Sequence, residues 1–234
     1  AESVRTYAAE TEKWQQIFLG IVGHDLRTPL NAVTLTADLL ASGKLSGEEA
    51  RSVTARLTRS ARRMGALLDS LLEYNRATIG GGMTIHRTAV DLKNVCADEL
   101  ELLRVALPMA RIDFVAEGDA TGEFDASRVR EAISNLVTNA VKHGLADEPV
   151  TARLSGSKDE VLLVVENAIA RDMQHSEIEP LFEPLHRGVV QRPGSERTHL
   201  GLGLFIARQI AQAHGGSAYG EFSDRKARFT LLTS

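Results

Sequence analysis

Apolar residues recur at Leu26, Leu30, Val33, Ala37 and Leu40, spacings of four and three that set them on one stripe of a helix. Upstream, Trp14, Ile17, Phe18, Leu19, Ile21 and Val22 make the same helix apolar on several sides, which predicts burial by more than one partner. Residues 1 to 43 therefore read as one long helix, polar over its first thirteen residues. A second stripe runs through Val53, Leu57, Ser60, Met64, Leu67, Leu71 and Tyr74 at the same four-three spacing. Between the two, Gly43 suits a helix C-terminus, and Ser46 with Glu49 forms a capping box for the next helix. Two amphipathic helices on a short loop make an antiparallel hairpin. One hairpin is a thin core, so two are expected to pair as a four-helix bundle, making the protein a homodimer with Leu30, Leu57 and Met64 inside.

The texture changes after Ile79-Gly80-Gly81-Gly82, which reads as a hinge. Strands are expected over 83–90, 111–116, 121–124, 150–154, 161–165, 218–222 and 227–232, and helices over 91–107, 125–143 and 201–214. The stretch from Glu166 to Leu200 reads as loop. The fold class is thus α followed by α+β: a helical hairpin over 1–79, then a sandwich over 83–234 with helices on one face of a mixed sheet.

Composition narrows the picture. Hydrophobic residues at 43% and charged residues at 25% of the 234 are ordinary globular values, and a net charge of −4 gives no reason to expect a nucleic-acid partner. The single cysteine, Cys96, excludes an internal disulfide and fits a reducing, cytoplasmic location. No apolar run approaches the ~20 residues that span a bilayer, so no membrane contact is expected. The polar opening without a methionine suggests a piece of a longer receptor with a sensor domain upstream. Arg51, Arg56, Arg59, Arg62 and Arg63 read as a solvated face of the second helix, with an acidic docking partner as the alternative.

The candidate chemistry begins at Gly23-His24-Asp25-Leu26-Arg27-Thr28-Pro29-Leu30. At ~100° per residue, His24 falls roughly 160° from the centre of the apolar stripe, with Thr28 one turn on and within about 40° of it. Pro29 removes a backbone donor and crowds the carbonyl of Asp25, which predicts a loosened turn at the histidine. His-Asp-Leu-Arg-Thr-Pro-Leu resembles the phosphoacceptor box of bacterial two-component sensor histidine kinases. The resemblance implies a catalytic core that takes the γ-phosphate of ATP onto His24, with Asp25 orienting the ring or taking its proton. It further implies transfer to an aspartate of a response-regulator receiver domain, with Thr28 serving regulator dephosphorylation.

The second half carries matching boxes. Ser134-Asn135-Leu136-Val137-Thr138-Asn139-Ala140-Val141-Lys142-His143 resembles the N-box of the Bergerat-type ATP-binding domain in the same family. Asn135, Asn139 and Lys142 share a helix face, and amide oxygens are hard ligands suited to Mg²⁺. The resemblance makes Asn139 the Mg²⁺ ligand and assigns Asn135, Lys142 and His143 to ATP. His199-Leu200-Gly201-Leu202-Gly203-Leu204 matches the glycine box, where Gly201 and Gly203 bring backbone close to phosphate at a helix N-terminus, with Leu202 and Leu204 in the same turn. Leu181-Phe182-Glu183-Pro184-Leu185 resembles the F-box, followed by a lid over 186–200.

One box departs from the pattern. Where the family has Asp-x-Gly-x-Gly, whose carboxylate accepts from the adenine amino group, this chain has Glu166-Asn167-Ala168-Ile169-Ala170. Glu166 is set against the aspartate and both alanines against the glycines. The other register sets Asn167 at the base and leaves Ile169 and Arg171 in place of the glycines. The expectation is a pocket crowded by Ala168 and Ala170, costing on the order of 1–3 kcal/mol and weakening ATP. The alternative function is a kinase-impaired core acting as docking module, phosphatase or relay.

Overall fold

The computed structural model describes residues 23, 26–78, 83–157, 160–171, 174–184, 186 and 201–233. The chain divides into two compact units between Leu72 and Glu73. The glycine run expected as a hinge lies outside the described residues.

The first unit is helical. Helix α1 covers residues 26–41 and runs on through Pro29; α2 covers Gly47–Thr78. Gly43 takes φ +64°, a left-handed conformation that suits glycine at a helix C-terminus. The capping box forms as the sequence predicts. Ser46 N–H and Oγ both donate to Glu49 Oε2, at 2.9 and 2.8 Å, and Glu49 N–H donates to Ser46 Oγ at 3.4 Å. These bonds hold the Glu49 carboxyl below its ordinary value. The α2 stripe is the covered side: Val53 and Leu67 are buried, and Leu57, Ser60, Met64 and Leu71 are half-buried. Burial of Leu67 alone is worth about 2 kcal/mol. Leu30, expected inside, is 48% exposed within the single chain, and Leu68 at 45% and Leu72 at 53% are exposed too.

In the second unit, β1 (Thr88–Asp91) pairs antiparallel with β3 (Thr121–Phe124) as a separate ribbon. The main sheet joins β2 (Ile112–Gly118), β4 (Val150–Gly156), β5 (Val161–Ala168), β7 (Lys226–Thr233) and β6 (Ser217–Ser223) in that order. Only β2 and β4 run parallel, so the sheet is mixed. Helices α3 (Leu92–Ala106), α4 (Ala126–His143) and α6 (Gly203–Ala213) pack against it and each other. The core lies between: Ile133, Leu136 and Val137 of α4 and Ile206 and Ile210 of α6 meet Leu154, Leu163 and Val165 of the sheet side, all nearly fully buried. Cys96 is buried here and its thiol is pushed up to about 12, chiefly by burial, so it stays protonated and inert. Asp91 and Asp125 cap α3 and α4, accepting from Lys93 N–H at 2.9 Å and Arg128 N–H at 3.1 Å.

Three features depart from the expected elements. The strand expected over 83–90 is confined to Thr88–Asp91. The stretch expected as loop carries a helical turn, α5 (His175–Ile178), and a 3₁₀ turn (Glu179–Phe182). The β6–β7 hairpin closes on Asp224 and Arg225, both left-handed at φ +54° and +58°. Turns of this type favour Asn-Gly, and Asp-Arg carries no such signature.

Candidate functional site

On the hairpin, His24 and Asp25 lie outside the described residues. Thr28 is described: it sits on α1 with an exposed side chain. Leu35 and Leu39 are also exposed, at 65% and 49%. At ~100° per residue they fall on the Thr28 side of the helix, roughly opposite Leu30.

On the second unit the sequence-predicted polar residues gather along α4. Asn135 and Asn139 are half-buried, and Lys142 and His143 are exposed at its last turn. Val129, Ile133, Leu136 and Ala140 are buried on the other side, which fixes the rotation of the helix. Gly201 takes φ +74°, and α6 starts two residues later. Leu202 stands at the N-cap, and its apolar side chain makes no capping bond. Leu202 and Leu204 are buried and anchor the turn. A Cβ on Gly203 would stand 3.3 Å from Asn135 Oδ1, so glycine lets the turn lie close to α4. The N-box and glycine-box residues are therefore side by side: amide oxygens on one helix, the N-terminal backbone of the next beside them. Such a pairing suits a phosphate chain and a hard cation.

The adenine box needs a correction. Along β5 the odd-numbered residues Val161, Leu163, Val165, Asn167 and Ile169 are buried, and the even ones stand on the other face. Glu166 therefore points away from α4. Its carboxylate accepts from Lys226 Nζ at 2.8 Å and from Arg228 Nε, both on β7. Burial raises its pKa, but these two cations outweigh it and hold the carboxyl below its ordinary value. Setting Glu166 against the family aspartate thus fails, because strand alternation turns it to the wrong face. Asn167 takes the α4 side instead: a Cβ on Gly144, the residue that ends α4, would stand 3.1 Å from Asn167 Nδ2. Crowding by the alanines fails with it, since Ala168 is on the outer face and Ala170 is exposed. Ile169, buried at 8%, and Arg171, which pairs with Glu177, hold the glycine positions.

Two side-chain clusters carried no sequence signal. Arg208 of α6 stacks 4.1 Å over the Phe182 ring and holds Glu179 with two bonds, 2.6 and 3.1 Å. Phe182, the F-box aromatic, is buried and meets Phe229 edge-on, so the root of the expected lid is fastened to the core. The lid itself, apart from His186, lies outside the described residues. The second cluster centres on Asp125. Its carboxylate accepts from His86 N–H at 2.8 Å, and its own N–H donates to His214 Nε2 at 3.0 Å. His214 is fully buried with Nδ1 2.8 Å from Ile210 O, which requires the neutral ring protonated on Nδ1. Burial lowers the His214 pKa, and nearby Arg87 adds to that; Ile210 O and Asp125 oppose it. For Asp125, burial raises the pKa but the N–H groups of His86, Arg128 and Ser127 bring it below the ordinary value.

Comparison with known proteins bears on both units. Residues 14–80 match the family model of the His Kinase A (phospho-acceptor) domain. Residues 124–233 match the model described as histidine kinase-, DNA gyrase B- and HSP90-like ATPase. A bacteriophytochrome of Pseudomonas aeruginosa is 31% identical over 225 residues, covering 96% of this chain and 30% of the relative. The structure of the histidine kinase ThkA in complex with the response regulator protein TrrA aligns with TM-score 0.69 at 18% identity, covering 97% of this chain and 65% of that one. Full-length ShkA in complex with AMPPNP aligns with TM-score 0.65 at 23% identity, covering 92% and 45%. The chain spans less than half the length of the curated relatives it matches.

Proposed function

The chain belongs to the two-component histidine kinases, and from that membership we propose that it phosphorylates itself on His24 from Mg²⁺-ATP and hands the phosphoryl group to an aspartate of a response-regulator receiver domain. One observation carries the reading: Gly203 lies against Asn135, which sets the N-terminal turn of α6 beside the amide stripe of α4, as a triphosphate site requires. The residues fit the group. Asn139 would ligate Mg²⁺, Asn135 and the Gly201–Leu204 turn would hold phosphate, and Lys142 and His143 would add donors at the exposed end. Bound Mg²⁺-ATP supplies the phosphoryl group with its charge screened. A neutral ring nitrogen of His24 would attack the γ-phosphorus as its bond to the β-phosphate oxygen breaks and ADP leaves, with Asp25 holding or removing the proton on the other ring nitrogen. Catalysis is then chiefly a matter of positioning.

Support for the partner comes from the ThkA complex with its regulator. On this chain Leu35 and Leu39, on the Thr28 side of α1, offer the apolar contact such a domain would use. A second copy would cover Leu30, Leu68 and Leu72 and complete a four-helix bundle. The test is incubation of the chain with γ-labelled ATP and Mg²⁺. An acid-labile phosphate that disappears in His24→Ala supports the reading; full labelling of that variant overturns it.

A second reading is favoured by the adenine box, which has neither the family carboxylate on the α4 side nor either glycine. In that reading the core is kinase-impaired and serves as docking module, phosphatase or relay. Calorimetric ATP binding by the chain separates the two.

A further inference from the structure

We infer that His214 is a positioning residue of the phosphate site: its bond to the Asp125 N–H holds α6 in register along α4 and so fixes the glycine turn at the other end of α6 against Asn135. The inference rests on the ATP site proposed above and deepens it. The two helices meet at two places. Gly203 opens α6 and lies against Asn135, where its Cβ would stand 3.3 Å from Oδ1. His214 is the C-cap of α6 and lies against Asp125, the N-cap of α4, whose N–H donates to Nε2 at 3.0 Å. The helices therefore run antiparallel. Gly203 to His214 is eleven residues and Asp125 to Asn135 is ten. These spans rise about 16 and 15 Å, so the two contacts are matched ends of one shared length.

Between those ends both helices bury apolar side chains, among them Ala132, Ile133 and Leu136 of α4 and Ala207, Ile210 and Ala211 of α6, and the helices pack on each other. Apolar attraction is non-directional, whereas a hydrogen bond fixes a separation to a few tenths of an ångström. Both partners of the bond are held before they meet. The ring is tied to its own helix by Nδ1, 2.8 Å from Ile210 O. Asp125 is tied by its carboxylate, which accepts from Arg128 N–H in the first turn of α4 and from His86 N–H. A binding constellation tolerates displacements of only about 0.5 Å, so a slip of α6 along α4 is felt at the glycine turn.

Only the neutral ring makes this bond. Protonation would put a second N–H at Nε2, facing the Asp125 N–H inside the core. Among the described residues, the charged groups that act on the ring are Arg87, before β1, and Asp125; Arg128 acts on Asp125 in turn, and Phe124 of β3 presents an uncharged ring 6.1 Å away. Burial first, then Arg87, disfavours the charged ring against the pull of Ile210 O and Asp125. The bond is therefore whole at neutral pH and opens in acid.

The test is calorimetric titration of the whole chain with Mg²⁺-ATP at pH 7.5, beside His214→Leu, which fills the site without an acceptor, and His214→Gln, which keeps one. The leucine variant is expected to bind about tenfold more weakly, the order a lost buried hydrogen bond gives, and the glutamine variant to stay within about twofold of the parent. Leucine binding like the parent, or both variants equally weakened, overturns the role of the bond and leaves the ATP site standing. A parent that binds no ATP overturns the inference and the site together. Should the leucine variant fail to fold, the pH profile decides. From pH 7.5 to 5.5 the parent is expected to lose more ATP affinity than His214→Gln, and parallel losses overturn the inference.

Discussion

At the scale of single residues, the side chains with the clearest consequences differ in how they titrate and what they face. Thr28 stands exposed on α1, one turn beyond His24 in sequence, where a hydroxyl can hold the water that attacks an acyl phosphate on the regulator. Thr28→Ala is expected to lose regulator dephosphorylation and keep His24 labelling; equal loss of both in a paired assay would make Thr28 structural. His214 gives a pH prediction. The unfolded chain protonates this ring near pH 6.5, while the folded ring, lowered chiefly by burial, resists until the pH is lower. Its contribution to stability is therefore whole above about pH 6.5 and is lost as the pH falls below it. Thermal melts from pH 7.5 to 5.5 should show a smaller decline for His214→Gln than for the parent, since glutamine keeps an acceptor and does not titrate. Parallel declines would mean the ring is not the titrating group.

At the scale of elements, the ends and turns hold most of what can be changed without touching chemistry. The Ser46–Glu49 box starts α2 with three short-range bonds. Ser46→Ala should cost about 1 kcal/mol, read as a lower denaturation midpoint with an unchanged slope. The β6–β7 turn works in the opposite sense. Two successive non-glycine residues at positive φ are unfavourable, by roughly 1 kcal/mol or more each. Replacing Asp224-Arg225 with Asn-Gly should raise the melting temperature by about 2–4 °C. A fall instead would show that the Arg225 contacts, including its bond to Ala170 O at 3.4 Å, outweigh the strain.

At the scale of the whole molecule, the hairpin leaves Leu30, Leu68 and Leu72 about half exposed, while Val33 and Leu40 of α1 and Val53, Leu67 and Leu71 of α2 are covered or half-covered. Isolated surface leucines need no explanation, but three flanking one helical seam are what a second copy would bury. The chain is expected to sediment as a dimer at micromolar concentration, and Leu30→Glu with Leu68→Glu to make it a monomer with the sheet unit still folded by circular dichroism. A parent chain that sediments as a monomer would refute the four-helix arrangement.

The sequence alone determined what depends on near neighbours. Four-three spacing placed both hairpin helices, Ser46 and Glu49 are three residues apart, and Asp125 and Gly144 bracket α4 because caps act within one turn. Local spacing was legible for the same reason: Asn135 and Asn139 share a half-buried face of α4, and Gly201 takes the left-handed φ that a glycine turn allows. The face of β5 was not legible. A strand of period two offers two registers, and a shift of one residue exchanges them. Pairing with β7 settles the choice, setting Val165 opposite Phe229 in the core and Glu166 opposite Arg228 outside it. The partners that hold this arrangement lie far along the chain: Lys226 is 60 residues from Glu166, and His214 is 89 from Asp125. No local pattern encodes such distances. Only the folded sheet, by burying one side of the strand, decided that Asn167 and not Glu166 faces the end of α4.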